Sequence, residues 1–117
     1  MSANAICHVE WSCTDLERAK AFLWGLFGWE FQEFTEDYMV FSAPGGPGGG
    51  ICKVADVKAG ASPTVYVEVE AIEPMLEEAA ELGGAVAAPK AEIPGVGWFA
   101  HITDPDGNII GLFQTKK

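Results

Sequence analysis

Basic residues are scarce in this chain: seven Lys and Arg stand against seventeen Asp and Glu, a formal net charge of −10. With no basic stripe to neutralise phosphates, nucleic acid and anionic membranes are not expected as partners. A cationic ligand would be attracted instead, and the acidity also favours solubility. Long apolar runs are missing too, since nothing approaches the ~20 residues needed to span a bilayer. The opening MSANAICHVEW has no basic region followed by an apolar stretch, so no secretory leader is expected. Cysteine is limited to Cys7, Cys13 and Cys52, an odd number with no C-x-x-C or zinc-ribbon spacing. The chain therefore reads as a reduced, cytoplasmic protein. No nucleophile elbow is present, and the glycine-rich PGGPGGG lacks the Lys-Ser/Thr of a phosphate-binding loop and precedes no helix.

What is present is a pattern that runs twice. At 117 residues, 49% hydrophobic and 21% charged, the chain has the length and composition of one soluble domain. Residues 5–12, AICHVEWS, alternate apolar and polar as a half-buried strand does. The spacing then predicts a helix over about 15–27, with Thr14 and Glu17 as a capping box and Gly28 taking the left-handed position beyond its end. Leu16, Ala19, Leu23, Leu26 and Phe27 share one helical face. Strands are expected at about 29–34, 38–43 and 50–55, with PGGPGGG as a flexible hairpin loop between the last two.

The pattern restarts with TVYVEVE at 64–70 and a helix over 72–84, followed by strands at about 85–88, 98–103 and 109–114. DPDGN, 104–108, supplies the tight turn before the last strand. A shift of 56 residues lays Leu16 on Ile72, Leu26 on Leu82, Gly28 on Gly84 and His8 on Thr64. An internal β-α-β-β-β duplication follows, with modules at about 5–56 and 62–115.

Strand alternation assigns sides. Cys7, Val9 and Trp11 share one side of the first strand; His8, Glu10 and Ser12 share the other. The same logic places Tyr66 and Glu68, Phe99 and His101, and Gly111 and Phe113 opposite the apolar positions of their strands. If both helices cover one side of the sheet, the other side carries His8, Glu10, Tyr66, Glu68, Phe99, His101 and Phe113. Aromatics with a few convergent polar groups suit a small-molecule cleft, and these seven are the candidate ligand-binding residues. Cys52, beside Lys53, is the only cysteine whose neighbour could lower its thiol pKa. The carboxylates of Glu73, Glu77, Glu78 and Glu81 read as a solvated helix face.

The segments HVEWSCTDLERAKAFLWGLFGWEF and GWFAHITDPDGNIIGLFQ resemble the vicinal-oxygen-chelate superfamily of glyoxalases, bleomycin-resistance proteins and extradiol dioxygenases, the second segment its glyoxalase-like branch in particular. The likeness covers almost the whole chain. It implies an α+β fold in which two tandem βαβββ modules form a curved mixed sheet, with helices on the convex side and the ligand on the concave side. It also implies a homodimer. Metal-dependent members of that superfamily typically place a histidine at the start of each half and a carboxylate near each half's final strand. Here His8 matches the first position, Thr64 stands at the second histidine position, Gly111 at the second carboxylate position, and 50–55 holds no acidic residue for the first. One ligand of four falls short of the three protein ligands of a usual catalytic site. The expectation is a binder of a small organic ligand, cationic or aromatic, without the usual metal site and with no cofactor. The alternative is a metal-dependent lyase, isomerase or dioxygenase with an atypical site drawn from His8, His101, Glu10 and Glu68.

Overall fold

The computed structural model describes residues 4–58, 60 and 62–116. Ten elements follow in the order β1 (Ile6–Cys13), α1 (Leu16–Phe27), β2 (Glu30–Thr35), β3 (Tyr38–Ser42), β4 (Gly48–Lys53), β5 (Thr64–Glu68), α2 (Ile72–Glu81), β6 (Ala85–Ile93), β7 (Gly97–Thr103) and β8 (Ile109–Thr115). This is the α+β chain of two βαβββ runs that the alternating and helical periodicities imply. It divides into a first compact unit, Cys7–Thr64, and a second, Val65–Lys117 with Met1–Ile6. No helix among the described residues is long and apolar enough to cross a membrane.

In the first unit the strands lie in the order β2-β3-β4-β1, with β1 and β4 parallel and the other pairs antiparallel. The second unit repeats this as β6-β7-β8-β5, with β5 and β8 parallel. Glu10 faces Gly50 across β1 and β4, and Tyr66 faces Gly111 across β5 and β8. From Glu10 to Tyr66 the shift is 66 − 10 = 56, and from Gly50 to Gly111 it is 111 − 50 = 61. The gain falls in the β6–β7 hairpin, whose two strands and turn are all longer than those of the β2–β3 hairpin.

Each helix covers one face of the strands of its own unit. In the first unit Leu23, Met39 and Ile51 are buried, with Trp11, Cys13, Leu16, Ala19, Trp29 and Phe31 packed around them. Trp29 lies flat on Phe41 at 4.7 Å between ring centroids. In the second unit the core is Val69, Ile72, Ala100 and Leu112, joined by Val67, Met75, Leu76, Trp98 and Ile102. Trp11, Val67, Val69, Trp98, Ala100 and Leu112 all lie on the helix side, where alternation puts them.

Four local readings need correction. The helix cap is Asp15, not Thr14: the Asp15 carboxylate accepts from the Arg18 backbone N–H at 3.0 Å, while the Thr14 hydroxyl accepts from the Arg18 guanidinium. Gly28 does close α1 in the left-handed region, at φ 75°. Secondly, β4 begins at Gly48 rather than at 50, so Gly48 and Gly49 belong to the strand and not to a loop, and aromatic rings from β3 lie against both of its faces. A Cβ at Gly49 would strike the Phe41 ring, and one at Gly50 the Tyr38 ring. Thirdly, β6 runs through Pro89 to Ile93, since an edge strand interrupted by bulges tolerates a residue with no N–H. Finally, Leu26 and Phe27 are 62% and 54% exposed. Leu16, Ala19 and Leu23 make the contact with the sheet side, Leu26 sits about 60° around the helix from Leu23, and Phe27 stacks on Trp29 at 4.9 Å.

Asp15→Ala is expected to cost about 1 kcal/mol of stability, the usual value of an N-cap. Thr14→Ala, at an exposed hydroxyl, is expected to cost less than about 0.5 kcal/mol. Urea unfolding midpoints of the two variants measure the difference, and equal costs would return the cap to Thr14.

Candidate functional site

On the sheet face of the first unit away from α1, Tyr38 reaches from β3 across β4 to two side chains of β1. Its hydroxyl lies 2.7 Å from His8 Nε2 and donates to Glu10 Oε1 at 2.9 Å. The His8 and Tyr38 rings are nearly parallel, 15° apart. A phenol has one proton. While Tyr38 gives it to a Glu10 carboxylate, the bond to His8 requires His8 Nε2 to be the donor; once Glu10 is protonated, both bonds can reverse. Burial holds the His8 imidazole below its ordinary pKa. It raises the Glu10 carboxyl against the opposing effect of the Tyr38 hydrogen bond. Both partly desolvated groups are therefore pushed toward their neutral forms.

The second unit carries a related pair. Tyr66, buried on β5, places its hydroxyl 2.8 Å from Nε2 of His101 on β7. Phe99 lies two residues before His101 on the same strand face, with ring centroids 5.6 Å apart, and Phe113 of β8 stands opposite Phe99 in register. Burial lowers the His101 pKa as well. Glu68 accepts a hydrogen bond from the Thr115 hydroxyl at 2.6 Å. The unit thus presents an aromatic surface with one tyrosine–histidine pair set into it.

Both pairs have a glycine beneath the tyrosine. The Tyr66 ring covers the Cα of Gly111, and a Cβ there would collide with three of its ring carbons. The Tyr38 ring covers Gly50 in the same way. Gly50 and Gly111 are equivalent in the two units, each lying on the last strand opposite the 56-residue-related pair Glu10 and Tyr66. Gly111 stands where the resemblance calls for the second metal-binding carboxylate, and the Tyr66 ring takes the space that such a side chain would need. Within either unit, no three His, Cys, Asp or Glu side chains come together as ligands among the described residues. The side chains present do not fit the superfamily's usual metal group.

Of the residues singled out from sequence, His8 and Glu10 meet in the first unit through Tyr38. Tyr66, Phe99 and His101 meet in the second, with Phe113 in register with Phe99 and Glu68 held by Thr115. Tyr38 and Gly50 were missed. Alternation along YMVFS carries the signal for Tyr38, because Met39 and Phe41 are buried on the helix side and leave Tyr38 on the face of His8. Cys52 is no activated thiol: burial raises its pKa, and the charges of Glu10 and Asp37 act in the same direction.

Comparison with known proteins agrees with this architecture. Residues 5–112 match the Glyoxalase/Bleomycin resistance protein/Dioxygenase superfamily. A candidate glyoxylase of Mycobacterium bovis, CFP32, is 27% identical over 117 residues, covering 93% of this chain and 45% of the relative. The chain thus spans about half the length of the curated relatives it matches. Among solved structures, methylmalonyl-CoA epimerase from Mycobacterium tuberculosis superimposes with a TM-score of 0.74 at 16% identity, covering 100% of this chain and 94% of that one. The Mn(II)-bound glyoxalase from Novosphingobium aromaticivorans gives 0.70 at 18% identity, covering 97% and 39%. At such identities the superpositions speak to the fold alone. The chain belongs to the glyoxalase/bleomycin-resistance/dioxygenase superfamily.

Gly111→Ala is expected to destabilise the protein by about 2 kcal/mol, the usual cost of forcing a methyl group into a filled space. In a Tyr66→Ala background the same change is expected to cost much less, because the ring is gone. Urea denaturation of the four proteins in the cycle measures the coupling. Additive costs would show that Tyr66 does not occupy the space over Gly111.

Proposed function

We propose that this chain binds a small organic ligand, aromatic or cationic, on the sheet faces of its units that bear the tyrosine–histidine pairs, and that it does so without the superfamily's usual metal site. The observation that carries this reading is Tyr66, whose ring covers Gly111 while its hydroxyl engages His101. A ligand on this face would meet aromatic surface from Phe99 and Phe113 and hydrogen-bonding groups on the tyrosine and imidazole. Together these favour a flat or positively charged molecule. The net charge of −10 supports the cationic preference. We propose further that the protein acts in the cytoplasm as a homodimer, needing neither nucleic acid nor membrane. The exposed Trp24, Leu26 and Phe27 of α1 support a second copy as partner.

A second reading is an enzyme of the same superfamily, and the Glu10–Tyr38–His8 chain favours it specifically. Two hydrogen bonds through one hydroxyl can pass a proton between a carboxyl and an imidazole. In a metal-dependent version the same face would hold the ion through an atypical donor set.

Calorimetric titration of the purified protein in EDTA with aromatic acids, aromatic amines and quaternary ammonium compounds tests the binding reading. At least one compound is expected to bind, with affinity falling about tenfold in Tyr66→Phe, the loss expected for one buried hydrogen bond. Binding that requires added Mn²⁺, Ni²⁺ or Zn²⁺ would establish the metal-dependent alternative in its place.

A further inference from the structure

The helix side of the first unit holds an open groove of about 590 Å³. It lies on the opposite face of β1 from His8 and Glu10. Its lining combines the half-buried Trp11 and Ala19 and the buried Leu23 and Ile51 with the exposed Phe22 and Val57, and the exposed Asp15, Arg18 and Asp56 stand at its mouth. Its volume lies within the roughly 300–1,000 Å³ range of small-molecule sites.

The internal repeat explains why space exists here. Position 19 corresponds to 19 + 56 = 75 in the second unit, where Met75 packs against the buried Val69, Ile72, Ala100 and Leu112. The first unit has Ala19 in that place, three heavy atoms shorter. The helix starts differ as well. In the second unit the Ile72 N–H is bound by Gln114 Oε1 of β8 at 2.9 Å, which draws the start of α2 onto its last strand. The equivalent position in the first unit, 114 − 61 = 53, is the exposed Lys53, and α1 begins on its own Asp15 cap instead. A shorter side chain and an untied helix start leave the groove open between α1 and β1.

The charges at its mouth select what it can take. Arg18 donates to the Thr14 hydroxyl at 2.9 Å, and the Asp15 carboxylate caps the helix. Asp56 stands exposed on the segment after β4, beside Val57, which is 42% exposed. Two carboxylates against one guanidinium, on a chain of net charge −10, favour a cation. The half-buried Trp11 and the ring of Phe22, itself 65% exposed, supply aromatic surface for an apolar body and an ammonium group.

We propose that this groove is a second ligand site, separate from the tyrosine–histidine face, and that it takes a hydrophobic amine with one or two rings: the rings enter against Trp11 and Phe22 and the ammonium lies toward Asp56. Neither the superfamily assignment nor the sheet-face residues imply it, and it stands whether or not the sheet face binds a ligand.

Dansylcadaverine, a naphthalene bearing a primary ammonium, is the probe, with anilinonaphthalene sulfonate as the anionic comparison. Titrations of the whole chain are read by the rise in probe emission, and backbone amide NMR shifts locate the site. The cationic probe is expected to shift amides within 11–23 and at 56–57, and to bind more tightly than the anionic one. Ala19→Met, which restores the residue found in the second unit, is expected to weaken it by about tenfold or more, and Asp56→Asn by about threefold. Phe22→Ala, at an exposed side chain, is expected to weaken binding and serves should Ala19→Met fail to fold. Equal affinity for the sulfonate, amide shifts elsewhere, or unchanged affinity in a folded Ala19→Met or in Phe22→Ala would overturn the proposal.

Discussion

The contact on which the candidate site depends is a tyrosine ring laid over a glycine, made once in each unit. Tyr66 covers Gly111 and Tyr38 covers Gly50, and in both cases the strand beneath can carry no side chain while the ring remains. The glycine lets the ring lie close to the backbone, and that position carries the phenol hydroxyl to the Nε2 of a histidine, His101 in one unit and His8 in the other. One steric fact therefore has two chemical consequences. It leaves no space for a side chain on the strand beneath, at Gly111 the position where the resemblance implies a carboxylate, and it installs a hydrogen-bonding pair.

The two units share this device but not its setting. In the first unit Glu10 turns the pair into a three-membered chain, and burial pushes its carboxyl and imidazole toward neutrality. In the second unit the position equivalent to Glu10 is Tyr66 itself, and the surroundings of its pair are aromatic. The tyrosines also come from different strands, β3 in the first unit and β5 in the second. The arrangement is thus reached by two routes in one duplicated frame. The helix sides have diverged too: Met75 fills its unit where Ala19 leaves space.

Much of the fold was legible because its signals are local. Alternation in AICHVEWS and TVYVEVE locates two strands and assigns their faces, and the apolar periodicity with Gly28 fixes α1 nearly to the residue. The errors arose where a neighbouring strand decides the outcome. Gly48 and Gly49 have the composition of a loop, yet they belong to β4, whose faces carry the rings of Phe41 and Tyr38 from β3. The expected strand at 85–88 stops before Pro89, yet the bulged edge position of β6 tolerates that residue and the strand continues to Ile93. Leu26 and Phe27 satisfied the helical pattern without facing the sheet. In the site, Tyr66 and His101 could be placed on one face by alternation, but their hydrogen bond depends on register across β5, β8 and β7. Gly111 was legible as a missing carboxylate; that a ring occupies its space was not.

The proposal of a metal-free site rests on the Tyr66 ring filling the space over Gly111. The direct measurement is elemental analysis of untagged protein, expressed in medium supplemented with manganese, iron, nickel and zinc and purified without chelators, beside its His8→Ala variant. The account predicts metal far below one ion per chain and no difference between the two proteins. Close to one ion per chain in the parent, lost in His8→Ala, would contradict it.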